Sequence, residues 1–330
     1  MTIFVLLPAY NEEDSLPALL PKIFRALTPL PHPFRVVLVD DGSTDRTAAR
    51  AQELRGTYPL EILTHPLNRG LGETIRDGIE YCAREGGPGD IVVRLDCDDS
   101  QDPAYIPALV AEIQDGRDVV ITSRHQPGGG QSGVHGYRNV LSRGAGLFMK
   151  LMFPIRGVWD YSSGYRAYRW EILRDALAVF GNRFIEQMHL GFSCTLEKVV
   201  KLHLLGARFA EVPHVLRYDQ KKSASKMASR PTLIGYLLLA WRYSPWLGSR
   251  RRAWQRRIAA HRTGLAPMCA TAVSAVQDGV RRRGGRFLQA ERSRNSRPPP
   301  GQGRGFSLAF NPQSEIRNPQ LVECLCPDGT

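Results

Sequence analysis

Over residues 1–125, short apolar runs alternate with segments of helical spacing, and this alternation leaves few folds open. The runs at 3–7, 35–39, 60–64, 91–95 and 119–122 are dominated by Ile, Val and Leu rather than alternating with polar residues. Strands buried on both faces read this way. Between them, helices are predicted at 15–27, at 45–55 with Asp45 as N-cap, at 71–84 and at 103–114. Such an order predicts an α/β domain: a mostly parallel, Rossmann-like sheet with helices on both faces. Sheets of this kind bind ligands beyond the carboxyl ends of their strands.

Those strand ends are acidic. The segment RLDCDDSQDP (residues 94–103) sets Asp96, Asp98 and Asp99 directly after an apolar run, and a second run stops at Asp40, Asp41, Gly42 and Ser43. Clustered carboxylates repel unless something positive lies between them, and a divalent cation carrying a phosphate group meets that need. Two acidic ends on one sheet point to one site for a metal and a nucleotide. Asp98 is the candidate direct ligand of Mg²⁺ or Mn²⁺. Asp96, two residues back on an extended chain, faces the same side and ligates with it or orients it. Asp99 or Asp102 caps the helix that Pro103 opens.

Charge excludes little once it is located. The 44 Lys and Arg against 32 Asp and Glu give a formal +12, but 15 Arg and only 5 acids lie from Gly248 onward. The remainder carries 29 bases and 27 acids, so the body offers no broad basic face for nucleic acid. Six scattered cysteines lack zinc-site spacing or the density of a disulfide scaffold, which fits a reducing cytosol. No basic leader precedes the first strand, and no apolar stretch reaches the length of a membrane span.

Past residue 125 the glycine-rich 128–133 reads as a loop. A helix follows at about 138–153, then a turn and strand at 161–168, a helix at about 186–204, an extended stretch at 209–218 and a helix at 232–243. Three divisions are expected: a catalytic domain over 1–230, an amphipathic interface helix over 231–247, and a basic, low-complexity, disordered tail over 248–330. His189 and His203 lack ligand spacing, and Glu186 is equally at home in a structural role.

Taken with the acidic strand ends, the run Pro8, Ala9, Tyr10, Asn11, Glu12, Glu13 and the NRGLG of residues 68–72 resemble the nucleotide-sugar half of family 2 glycosyltransferases, inverting enzymes of the A-type fold. The resemblance covers about residues 2–245. Ser123 with Arg124, Tyr137 with Arg138 and Ser142, the SSGY of 162–165, the EVP of 211–213 and Ser225 with Lys226 narrow it to polyprenyl-phosphate sugar transferases of the dolichol-phosphate mannose synthase kind. That family implies nucleotide-sugar contacts at Pro8, Tyr10, Glu12, Val39, Asp41, Asp96, Cys97 and Lys226. It implies metal and diphosphate at Asp96 and Asp98, and acceptor phosphate at Arg124, Arg138 and Ser142. Ser100 stands where the family often has Gln, with Gln101 beside it.

The residue types suit these roles. Guanidinium offers paired donors to phosphate oxygens, so Asp98, Arg124 and Arg138 form the catalytic set. Lys222, Ser225 and Lys226 lie in a loop able to close over a diphosphate. Apolar residues at Leu141, Leu147, Phe148, Leu151, Met152 and Phe153, and at 233–241, suit either core packing or helices lying in a bilayer interface. The resemblance implies inverting, metal-dependent transfer of a sugar, mannose from GDP-mannose first, to a polyprenyl phosphate by a peripheral protein at the cytoplasmic membrane face. UDP-glucose or another donor with a non-lipid acceptor, and a silent membrane scaffold, are the alternatives.

Overall fold

Seven apolar or half-apolar segments pair into one twisted sheet, and the order of pairing places the site. In the computed structural model the described residues are 1–133, 136–188, 190, 193–220, 229–246 and 250–263, without side chains at 136–143, 220 and 229–230. All fall in one compact unit, Met1–Ala270; a second unit, Thr271–Thr330, lies outside them.

The first half follows the expected alternation: β1 (Ile3–Ala9), α1 (Leu16–Leu27), β2 (Phe34–Asp40), α2 (Thr47–Arg55), β3 (Leu60–Thr64), α3 (Leu71–Glu85), β4 (Ile91–Arg94), α4 (Ile106–Gln114) and β5 (Val119–Ser123). A short β6 (Gly130–Ser132) and α5 (Gly136–Met152) lead to β7 (Arg166–Arg169), α6 (Trp170–Phe180), α7 (Ser193–Leu204), β8 (Phe209–Pro213), β9 (Val215–Arg217), α8 (Ser229–Tyr243) and α9 (Arg251–Arg262). Among the described residues the sheet order is β3-β2-β1-β4-β7-β5-β8, with β7 antiparallel to both neighbours; β6 and β9 pair separately.

Alternation of side chains along the strands divides the core in two. Phe4, Leu6, Val37, Val39 and Val92 pack under α3, α6 and α7, while Ile3, Val5, Leu7, Val36 and Leu38 pack under α1 and α4. Each buried aliphatic side chain contributes about 1.5–3 kcal/mol, so covering both faces is what holds a parallel sheet. Pro8 lies two residues beyond the last β1–β4 pair, Leu6 with Arg94, so the N–H it lacks is not needed in that ladder.

Two expectations are corrected. The helix predicted over 186–204 begins only at Ser193, because the buried Glu197 carboxylate reaches back and accepts the N–H groups of Glu186 and Gln187, both at 2.9 Å. The tail expected to be disordered from 248 onward holds α9, whose Trp254 and Ile258 are buried in the main core. Their four-residue spacing puts both on one helical face, an apolar stripe that the surrounding arginines disguise.

Candidate active site

Strand order reverses between β1 and β4, and the loops after both strands flank that crevice. On one side the β1 and β2 loops are laced together. Asn11, at a positive φ of 52°, donates its N–H to Ser43 Oγ (3.0 Å) and accepts the Thr44 N–H (2.8 Å), while the Glu12 N–H reaches Thr47 Oγ1 (2.7 Å). This lacing holds Tyr10 and the buried Glu12 at the strand edge. Asp45 sits just ahead of α2 and accepts the Thr47 N–H at 2.9 Å.

Asp41 is buried and fully engaged with the loop that follows β3. Its carboxylate accepts the N–H groups of Arg69 (2.9 Å) and Gly70 (2.8 Å) and meets His65 Nδ1 at 2.7 Å. His65 Nε2 in turn lies 3.1 Å from Asp77. The NRGLG segment is therefore tied to Asp41 by its main chain. His65 and Asp77 carry no sequence signal that singles them out.

Across the crevice, the acidic loop after β4 is organised by its own polar residues. Asp98 accepts the Ser100 N–H (3.1 Å) and hydroxyl (2.6 Å), and Gln101 bonds Asp96 twice. Asp99 pairs with Lys22 at 2.7 Å, and Asp102 caps the turn at Pro103 through the Ala104 N–H (2.9 Å). Ser100 and Gln101 thus orient the two carboxylates. Among the described residues no group of three or more His, Cys, Asp or Glu could cage a metal ion. Two carboxylates at an open edge fit an ion that keeps waters and shares a substrate diphosphate, not one held by protein alone.

Two residues expected at the nucleotide turn their side chains into the core. The Val39 side chain is fully buried in the core between β2 and α3, and the Cys97 thiol is buried with α1 and α4. Strand alternation turns Val39 inward and the turn after β4 turns Cys97 inward, so it is their main chain that borders the crevice.

The second half of the edge is built around Arg124. Its Nε and one terminal nitrogen form a two-pronged pair with Asp160, at 2.7 and 2.8 Å. The same nitrogen donates to Ser162 Oγ (2.6 Å), and the other reaches Gln131 at 3.3 Å. Burial opposes ionisation of Asp160, yet the Arg124 guanidinium and its hydrogen bonds outweigh that cost and hold the carboxyl well below its usual range. Glu211 fixes this loop by accepting the N–H groups of Trp159 (2.5 Å) and Asp160 (2.6 Å), which explains the EVP segment. Asp160 was not legible in the sequence. It reaches Arg124 because β7 runs antiparallel, so the loop before it arrives at the edge where the parallel strands end.

His214, just after β8, is buried between the Tyr105 and Tyr165 rings, and burial lowers its pKa to about 4, leaving it neutral at pH 7. Arg138 and Ser142 fall on α5, but their side chains, and all of Lys222, Ser225 and Lys226, lie outside the described residues. The structure therefore brings Glu12, Asp41, Asp96 and Asp98 to one crevice and Arg124 to the same edge.

The chain is 30% identical over 249 residues to a dolichol-phosphate mannosyltransferase of Pyrococcus furiosus, covering 75% of this chain and 65% of that protein. It is 33% identical over 190 residues to a polyprenol monophosphomannose synthase of Mycolicibacterium smegmatis, covering 56% and 69%. It is also 37% identical over 184 residues to an undecaprenyl-phosphate 4-deoxy-4-formamido-L-arabinose transferase of Pseudomonas fluorescens, covering 53% and 49%. The chain thus spans between about half and two-thirds of these relatives' lengths. A glucosyl-3-phosphoglycerate synthase from Mycobacterium tuberculosis, crystallised with Mn²⁺, UDP and phosphoglyceric acid, superposes with a TM-score of 0.50 at 21% identity. That match covers 72% of this chain and 78% of the other, and it shows a shared A-type fold. Since the pattern described as Glycosyl transferase family 2 matches residues 4–177, more than half of the sequence, the chain belongs to that family.

Proposed function

We propose that the protein transfers a sugar, mannose from GDP-mannose first, to the phosphate of a polyprenyl lipid, with inversion and with help from a divalent cation. The observation that carries this reading is the β1–β4 crevice, flanked by the laced β1 and β2 loops that bear Glu12 and Asp41 and by the β4 loop that bears Asp96 and Asp98. The relatives named for mannosyl and polyprenyl-phosphate transfer support the substrate class. Glu12 and Asp41, with Pro8 and Tyr10, hold the nucleoside, and Asp98 with Asp96 would hold Mg²⁺ or Mn²⁺. When bound, the ion neutralises the donor diphosphate as it leaves.

A lipid phosphate is already ionised near neutral pH, so no side chain has to remove its proton. Its oxygen bonds the anomeric carbon as the bond to the nucleoside diphosphate breaks. The protein's part is alignment and charge balance. Arg124, held by Asp160, keeps one terminal N–H hydrogen for the acceptor phosphate, and Arg138 and Ser142 complete that subsite. Lys222, Ser225 and Lys226 form the closing loop.

The acceptor places the protein against a membrane, at the cytoplasmic face. Among the described residues no helix is long and apolar enough to cross one. However, Leu147 and Leu151 on α5, and Leu233, Ile234, Leu237 and Trp241 on the neighbouring α8, are exposed. Each set repeats at four-residue spacing, so each helix shows one apolar stripe, as interfacial helices do. We assign 1–230 to the catalytic domain and 231–247 to this interface helix.

The test is a panel of GDP- and UDP-sugars with Mn²⁺ or Mg²⁺ and a short polyprenyl phosphate. Label is expected in the organic phase with a β-linked product by NMR, lost on chelation and in Asp98→Ala. Water-soluble product, retained configuration or turnover unaffected by chelator would each refute the reading.

A further inference from the structure

Beneath the acidic loop lies a group of buried cations that the proposed reaction does not use. Arg94 ends β4, and its Cα partner across the β4–β7 pair is Arg166. Both guanidiniums are buried, and so is Lys198 on α7. Arg166 donates through its terminal nitrogens to neutral acceptors, the carbonyls of Thr195 (2.7 Å) and Tyr161 (2.8 Å). Arg94 instead donates to Asp96 Oδ1, its one ion-pair partner among the described residues.

The other oxygen of Asp96 accepts Gln101 Nε2 at 2.6 Å, and the Gln101 carbonyl accepts the Asp96 N–H at 2.9 Å. Asp96 is therefore gripped on both oxygens and at its main chain, while 23% of its side chain still reaches the open edge. Space for this grip comes from Gly164: a Cβ there would lie 1.8 Å from an Arg94 terminal nitrogen. Two separate motifs, the acidic loop and the SSGY segment, thus converge on one guanidinium.

A buried arginine is costlier than an aliphatic side chain that packs as well. The strand neighbours Val92, Val93 and Leu95 show that apolar residues suit this stretch. We infer that Arg94 is a positioning residue for donor binding, which with Gln101 fixes the direction of the Asp96 carboxylate and needs Gly164 to do so. This rests on the reading of the β1–β4 crevice as the donor site.

The test compares the full chain with Arg94→Met, Arg94→Lys, Gln101→Leu, Gly164→Ala and the Arg94→Met, Gly164→Ala double variant. Calorimetry with GDP and Mn²⁺ reads binding without turnover. Arg94→Met is expected to weaken it on the order of tenfold or more, as loss of an orienting partner does. The Michaelis constant for the donor should rise more than kcat falls, with partial recovery in Arg94→Lys. Gly164→Ala keeps every charge yet should reproduce the loss by displacing the guanidinium, and the double variant should bind no worse than Arg94→Met. Gln101→Leu removes the other half of the grip without uncovering a buried charge, so it decides the matter if Arg94→Met fails to fold. A folded Arg94→Met or Gln101→Leu that binds GDP as the parent does overturns the inference. If the parent itself binds no nucleoside diphosphate, the donor-site reading fails instead.

Discussion

Replacing Asp160 with Asn tests how the acceptor edge is built, because it removes one charge and almost no volume. The carboxylate accepts Arg124 Nε at 2.7 Å and a terminal nitrogen at 2.8 Å, the N–H groups of Ser162 (3.2 Å) and Ser163 (3.1 Å), and the Ser162 hydroxyl (3.0 Å). Asn keeps one acceptor oxygen and turns the other position into a donor aimed at a donor. Arg124, mostly buried, loses the one ion-pair partner it has among the described residues. Breaking a buried pair from one side costs about 3–5 kcal/mol. With a urea m-value of about 3 kcal/mol per molar, the unfolding midpoint should fall by about 1–1.7 M.

The acid dependence carries a second signature. Asp160 is held below its unfolded pKa, so its stabilisation is whole at neutral pH and is lost as pH falls, starting near the unfolded value of about 4. The Asn variant should therefore show a flatter loss of stability below about pH 4. Urea titrations at pH 7 and across the acid limb measure both effects. A midpoint loss worth less than about 1 kcal/mol, with the acid limb unchanged, would refute the claim that this pair organises the edge.

Three further outcomes are expected. Trp254→Ala should cost about 3–5 kcal/mol by emptying a core position whose ring lies tilted 4.7 Å from Phe180, and ending the chain at Gly248 should cost at least as much; equal stability of the shortened chain would return α9 to the tail. Gly42→Ala should destabilise the donor loop by more than about 1 kcal/mol, since Gly42 sits at φ +65° and a Cβ would stand 2.4 Å from the Leu67 carbonyl carbon; unchanged urea stability and GDP binding would contradict this. Leu237→Ser with Trp241→Ser should lower sedimentation with anionic vesicles severalfold while leaving thermal stability within about 0.5 kcal/mol, because both side chains are exposed; unaltered vesicle binding would remove α8 from the membrane contact.

The first five strands were legible because strands buried on both faces have to be apolar throughout, and their acidic ends stood out against that background. Asp41, Asp96 and Asp98 became candidates for the same reason, while Glu12 became one by likeness to a family. Val39 and Cys97 were expected at the nucleotide by likeness to a family, and the fold turns their side chains into the core. A strand was expected within 161–168, but two arginines in the four residues Arg166–Arg169 gave no sign that it is a central one. Its burial depends on carbonyl partners supplied by Tyr161 and Thr195.

Local order therefore determined the alternation of strand and helix, the parallel sheet and the carboxylates at its edge, since periodicity and strand ends depend on neighbours in the chain. Only the folded arrangement decided which charges meet: Arg124 with Asp160 across 36 positions, Asp41 with His65 across 24, and Lys201 with Glu186 across 15. A buried ion is tolerable only where a distant partner arrives, and the antiparallel return of β7 is what delivers Asp160.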